Sequence, residues 1–172
     1  QFVSEQFVFD GTRLAAAEMI RSGTTCFADQ YFFPASAARA TVEAGLRASL
    51  FCPILDFPTP MGAGPEDYLR LATDAMDEWR HDPRIQIGFG PHAPYVDNSE
   101  DLLQAETEMA VKYGCGMHLH MAAGPEDNTE TLERYGLTAA QALERDGFFK
   151  GRVHARPFCV ASPTVTVVSD RI

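Results

Sequence analysis

Five short apolar segments begin near residues 24, 47, 84, 115 and 152, and a helical pattern follows each of the first four. This alternation constrains the fold more than any other feature. Strands separated by whole helices cannot pair as tight hairpins. They pair in parallel, joined by right-handed crossovers, with helices covering the sheet. A further helix precedes the first strand, so the order is helix, then strand–helix four times, then a strand. A closed eight-stranded barrel of this kind takes about 250 residues, and five strands in 172 residues fall short of that. The reading is α/β: either an open doubly wound sheet or a segment of a (β/α)8 barrel.

Local signals place the elements. Residues 10–23 read as a helix with Asp10 as N-cap and Gly23 as the stop. Thr24–Asp29 is a short strand, and Pro34 opens a helix running to about Gly45. Arg47–Asp56 is a strand that Pro53 should end or bulge. A Pro/Gly loop, 57–64, precedes an amphipathic helix from Pro65 to about Arg80, with Tyr68, Ala72, Ala75, Met76 and Trp79 on one face. Arg84–Gly90 is a strand, and Asn98 or Ser99 caps a helix ending at Gly114. Cys115–Ala122 is a strand. Asp127, with Glu130 three residues on, caps a short helix, and Thr138 with Gln141 forms a capping box. The last strand begins near Arg152.

Composition sets limits on function. The chain carries 24 acidic and 14 basic residues, a formal net charge of −10. No Lys/Arg stripe is present, which argues against a nucleic-acid partner and against an anionic membrane surface. No apolar run approaches the roughly eighteen residues of a membrane helix. The N-terminus has neither the basic nor the apolar region of a signal peptide, and it lacks an initiator Met. The chain therefore reads as a processed product or a piece of something longer. Cys26, Cys52, Cys115 and Cys159 are widely spaced and sit in or beside apolar segments. They read as buried reduced thiols of a cytoplasmic protein rather than a disulfide or zinc framework.

The histidines carry the chemistry. His118 and His120 stand at i and i+2 of one strand and so share a face. Neutral imidazole is the commonest nitrogen ligand for zinc, so the pair is a candidate metal site, set against a core histidine beside a packed neighbour. His92 follows a strand end and is held between Pro91 and the Ala93-Pro94-Tyr95 turn. It suits either a substrate contact or a turn-stabilising role. His154 lies in the last strand as a further ligand, a substrate contact or an ordinary strand residue, and His81 reads as solvated. Asp29 and Asp56 fall at strand C-termini, where they orient a histidine or cap the next loop. Tyr31, Phe32 and Phe33 line a pocket or belong to the core. Gly88-Phe89-Gly90 lacks the third glycine of a dinucleotide fingerprint, and no nucleophile elbow occurs.

The segments RSGTTCFADQYFFP (21–34), GLRASLFCPILDFPTP (45–60), IGFGPHAPY (87–95) and MHLHMA (117–122) resemble the amidohydrolase superfamily, in order and with consistent spacing. They are most similar to its 5′-methylthioadenosine/S-adenosylhomocysteine deaminase branch, beside the chlorotriazine-type hydrolases. The resemblance implies a partial (β/α)8 TIM barrel, with residues 1–172 as a central catalytic segment, family-like to about 153 and divergent over 156–172. It implies a single zinc, a small-molecule purine nucleoside as substrate, and a metal-bound hydroxide as nucleophile. His120 is then the metal ligand and His92 the substrate contact, with His118 and His154 as secondary candidates.

Departures from the family pattern accompany the resemblance. The family's first-strand His-x-His pair would lie upstream of Gln1, and its last-strand Asp beyond Ile172. Ala123 stands where the family carries a proton-shuttling glutamate, with Glu126 nearby. These departures imply impaired activity for this chain alone, and uncovered sheet edges favour a homo-oligomer. The alternatives are a non-catalytic remnant, or a hydrolase of the chlorotriazine or guanine type.

Overall fold

The computed structural model describes residues 2–121, 125–150 and 152–157, with side chains at 2–121 and 128–150. In chain order the elements are α1 (Glu5–Ser22), β1 (Cys26–Gln30), α2 (Pro34–Glu43), β2 (Arg47–Ile54), α3 (Pro65–Trp79) and β3 (Ile85–Pro91). They continue with α4 (Glu100–Tyr113), β4 (Gly116–Met121), α5 (Pro125–Tyr135), α6 (Ala139–Arg145), a 3-10 turn (Phe148–Lys150) and β5 (Arg152–Pro157). The expected alternation is present, and the strands neighbour one another in sequence order. This is the α/β arrangement of a partial (β/α)8 barrel. No described helix is long and apolar enough to cross a membrane.

The chain divides into two compact units. One holds the residues up to Pro53 with Phe57–Gly88, and the other holds Ile54–Asp56 with the residues from Phe89 on. In the first, β1 and β2 pair in parallel from Cys26↔Arg47 to Gln30↔Phe51. Their crossover helix α2 and its neighbours bury Val8, Ala37, Ala38, Ala48, Leu50, Ala75, Ile85 and Ile87, with Met76 and Trp79 packed alongside. Small alanines let the helices approach closely. Tyr68 is fully buried, and its hydroxyl lies 2.8 Å from the Phe57 carbonyl and 2.9 Å from that of Gly62, closing the Pro/Gly loop.

Several boundaries differ from expectation. Helix α1 starts at Glu5 because the Ser4 hydroxyl accepts the Phe7 N–H at 3.2 Å. Asp10 is therefore mid-helix and takes a hydrogen bond from Gln6. Gly23 does stop α1, at φ 84°, where a Cβ would be strained. Pro53 does not end β2, which runs to Ile54; it lies two residues past Phe51, the last β1 partner, so its missing N–H breaks no bond to β1. Helix α5 starts at Pro125, which suits a first helical turn, so Asp127 falls inside it. Cys52 is buried and Cys115 partly so, but Cys26 is exposed on β1; none of the three forms a disulfide among the described residues. Cys159 lies outside the described residues.

In the second unit the end of β3 from Phe89 on, β4 and β5 are parallel, with Phe89↔Met117 and His118↔His154 among the register pairs. Phe89, Met117, Leu119, Leu143 and Phe148 are among its large buried apolar side chains. The capping box at Thr138–Gln141 forms as the sequence indicates.

Candidate active site

The site is built on a seven-residue loop, His92 to Asn98, between β3 and α4. His92 continues the strand pattern beyond β3. Its N–H donates to the Ile54 carbonyl at the end of β2 (3.4 Å), and its carbonyl accepts the His120 N–H from β4 (2.9 Å). The loop then folds back on itself. The amides of Val96 and Asp97 both donate to the Ala93 carbonyl at 3.0 Å, and the Tyr95 amide donates to the Asn98 carbonyl at 3.0 Å. Tyr95 adopts a left-handed φ of 66°, which a side-chain-bearing residue keeps only where its surroundings hold it. Those surroundings are specific: Tyr95 is buried, and its hydroxyl donates to Asp146 Oδ2 at 2.8 Å. Burial, reinforced by that carboxylate, pushes the Tyr95 phenol well above its ordinary value.

Asp97 is the loop's organising carboxylate. Oδ1 accepts the Ala93 N–H at 2.7 Å, and Oδ2 lies 2.6 Å from His92 Nδ1. An ionised carboxylate only accepts, so this contact places a proton on His92 Nδ1 and leaves Nε2 as the other ring nitrogen. The hydrogen bond to Asp97 and the carboxylate's charge hold the imidazole above the usual histidine value, against an opposing contribution from burial. With 44% of its side chain exposed, His92 still presents its ring to solvent. The result is an oriented imidazole that carries a donor on Nε2 whenever it is protonated.

His120, next to last in β4, stands beside it: the two ring centroids are 5.0 Å apart, edge to face. His118 and His120 lie on one face as their spacing requires, with ring centroids 6.2 Å apart. His118 is the more buried of the two. The backbone of His154 sits at the β4–β5 register position of His118. Ala123 and Glu126 lie outside the described side chains. His81 is exposed as expected. Asp56 is a cap, although not of its own loop: its carboxylate accepts the Ser99 N–H at 2.6 Å, at the start of α4. Asp29, in the first unit, is half-buried, and burial raises its carboxyl. Tyr31 is exposed, while Phe33 packs against the core of that unit.

Sequence reasoning did not single out Asp97, Asn98 as a buried residue, or Glu106. Asn98 is no helix cap; its Nδ2 donates to the Ile54 carbonyl at 3.0 Å and to Glu106 Oε1 at 3.2 Å. Glu106 was legible as a carboxylate inside the α4 stripe Leu102, Leu103, Ala110, all buried. Asp97 gave a fainter signal, an acidic residue closing a short turn after a rigid His-Ala-Pro.

A catalytic zinc takes three protein ligands and an open position. Among the described residues no group of three or more His, Cys, Asp or Glu side chains converges to hold a metal. His92 Nδ1 is engaged by Asp97, and His120 stands half-buried beside it. The described residues alone do not fit a complete zinc site.

Known proteins frame this geometry. A 5-methylthioadenosine/S-adenosylhomocysteine deaminase from Saccharophagus degradans is 44% identical over 143 residues, covering 83% of this chain and 32% of that protein. The crystal structure of an adenosine deaminase from Xanthomonas campestris with bound zinc superposes with a TM-score of 0.84 at 34% identity, covering 89% of this chain and 35% of that one. An atrazine chlorohydrolase from Arthrobacter aurescens, complexed with zinc, shares the fold at a TM-score of 0.75 and 21% identity, over 88% of this chain and 38% of its own. The chain thus spans about a third of the length of the relatives it matches. The model of the Amidohydrolase family matches residues 2–170, nearly the whole chain, and the chain belongs to the amidohydrolase family.

Proposed function

We propose that this chain carries the substrate-contacting part of a hydrolytic deaminase for adenosine-like nucleosides of the 5′-methylthioadenosine and S-adenosylhomocysteine kind. The observation that carries the reading is the oriented His92, held by Asp97 at 2.6 Å beside His120 at the strand ends. C-terminal strand ends are where barrels of this type build their sites. The 44% identity to a protein named as such a deaminase supports the substrate class.

In this reading His92 donates from Nε2 to an acceptor on the nucleoside base. Asp97 keeps the protonated, donating form populated nearer to neutral pH. His120 contributes to a metal-binding set whose remaining donors are not among the described residues. Hydrolytic deamination replaces the ring amino group with water's oxygen and releases ammonia. A second reading, a non-catalytic remnant, draws on the lack of a three-donor group among the described residues.

The test is a titration with 5′-methylthioadenosine, followed at the His92 ring by NMR, with atrazine and guanine as competitors. Saturable shifts of the His92 ring that atrazine or guanine displaces only weakly, and weaker nucleoside binding by calorimetry in His92→Ala, support the nucleoside reading. Ammonia release with zinc supplied separates a working enzyme from a remnant. A nucleoside response that bypasses His92 would refute the assignment.

A further inference from the structure

Glu106 is fully buried on α4, at a position whose neighbours Leu102, Leu103 and Ala110 form an apolar face. Burying a carboxyl there is costly, and a leucine would pack without that penalty. Only one of its oxygens is engaged: Oε1 accepts Asn98 Nδ2 at 3.2 Å, while Oε2 has no hydrogen-bond partner among the described residues. The engaged oxygen reaches the candidate site in two steps. Asn98 uses the same Nδ2 to hold the Ile54 carbonyl at 3.0 Å, and its own carbonyl accepts the Tyr95 N–H at 3.0 Å. Ile54 is also the backbone acceptor for the His92 N–H, at 3.4 Å, and Asn98 directly follows Asp97 in the chain.

We propose that Glu106 is a positioning residue for His92: through Asn98 it fixes the 92–98 loop, and with it the Asp97–His92 hydrogen bond, against the end of β2. Asn98 Nδ2 has two hydrogens, and Ile54 and Glu106 take one each, so the amide cannot rotate without losing a bond in a buried setting. Burial, with the Asp56 and Asp97 carboxylates nearby, pushes the Glu106 carboxyl well above its ordinary value and favours its neutral form. A glutamine is therefore the isostere that preserves the acceptor without the acid. The consequence for activity rests on the reading of His92 as a substrate contact. The hydrogen bond itself does not, so the test is read on the imidazole.

The experiment compares the 172-residue chain with Glu106→Gln and Glu106→Leu, using the ring 15N shifts of neutral His92 to give its ratio of Nδ1–H to Nε2–H tautomers. The wild type favours Nδ1–H, and Glu106→Gln keeps that ratio. Glu106→Leu lowers it by about tenfold, the loss of the His92 Nδ1–H bond to the Asp97 carboxylate, while amide-exchange protection in α4 and β4 stays as in the wild type. Should Glu106→Leu fail to fold, Asn98→Ala cuts the same link and gives the same fall. An unchanged ratio in folded Glu106→Leu or Asn98→Ala overturns the proposal, as does a wild type dominated by Nε2–H. Failure of the deaminase reading would look different: the ratios would follow this pattern, but nucleosides would leave His92 unmoved.

Discussion

His92 and His120 are joined twice. The His120 amide donates to the His92 carbonyl at 2.9 Å, and the two rings stand edge to face with centroids 5.0 Å apart. The backbone bond extends the parallel pairing one residue past the end of β3, so the loop histidine inherits the rigidity of the sheet. A residue on an ordinary loop would not hold its ring at a fixed distance from a strand residue.

Asp97→Asn tests the electrostatic half of this arrangement. The substitution removes the charge that favours the imidazolium, so the His92 pKa falls towards the ordinary histidine value in an NMR titration. Because the folded value is raised, the stabilisation is fully present below the ordinary histidine pKa and is lost as pH rises through the folded value. The stability gap between wild type and variant is therefore widest between the carboxylate range and the ordinary histidine value. Denaturation at two pH values on either side of the histidine range measures it.

Glu106→Gln has the opposite pH signature to a paired carboxylate. The folded pKa of Glu106 is raised, so the wild type loses stability as pH climbs from the ordinary glutamate value towards the folded one. Glutamine does not titrate. Its stability advantage over the wild type grows across that window and vanishes below it, as urea denaturation at stepped pH will show.

Tyr95→Phe removes the hydroxyl that donates to Asp146 and leaves the left-handed backbone of Tyr95 with one anchor fewer. The expected loss is about 1–2 kcal/mol for a partly buried bond to a charged acceptor. Hydrogen exchange should rise at the amides of Val96 and Asp97 before it rises in β4.

Gly62→Ala probes the first unit separately. A Cβ there would stand 2.8 Å from the Cβ of Asp67 and 2.9 Å from the Tyr68 ring, on a loop closed by the Tyr68 hydroxyl. Destabilisation of about 1–3 kcal/mol is expected from such overpacking, with no change in the His92 ring signals.

The element order was legible because periodicity reports burial, and burial is what the helices and strands of an α/β layer share. The α3 face and the Thr138–Gln141 box were readable for the same reason: each depends on residues within one or two turns. The start of α1 was not, since Ser4 and Gly11 offered a weaker pattern than the alanine-rich stretch beyond them. The site was half legible. His92 and His120 could be singled out by type and position, and the fold sets their rings side by side. Asp97 and Glu106 matter through contacts that only the folded loop creates, and Glu106 reaches Asn98 across a helix face that the sequence marks as apolar. Ser99 looked like a self-sufficient cap, yet the acceptor at the start of α4 comes from Asp56, 43 positions earlier.

His120, proposed as a metal donor, has no three-donor group around it among the described residues, and zinc content is the decisive readout. The chain and its His120→Ala variant would be loaded with zinc, dialysed against zinc-free buffer and measured per chain. The expected result is zinc well below one per wild-type chain, and less still once His120 is replaced. One tightly held zinc per chain that is indifferent to His120→Ala would contradict it.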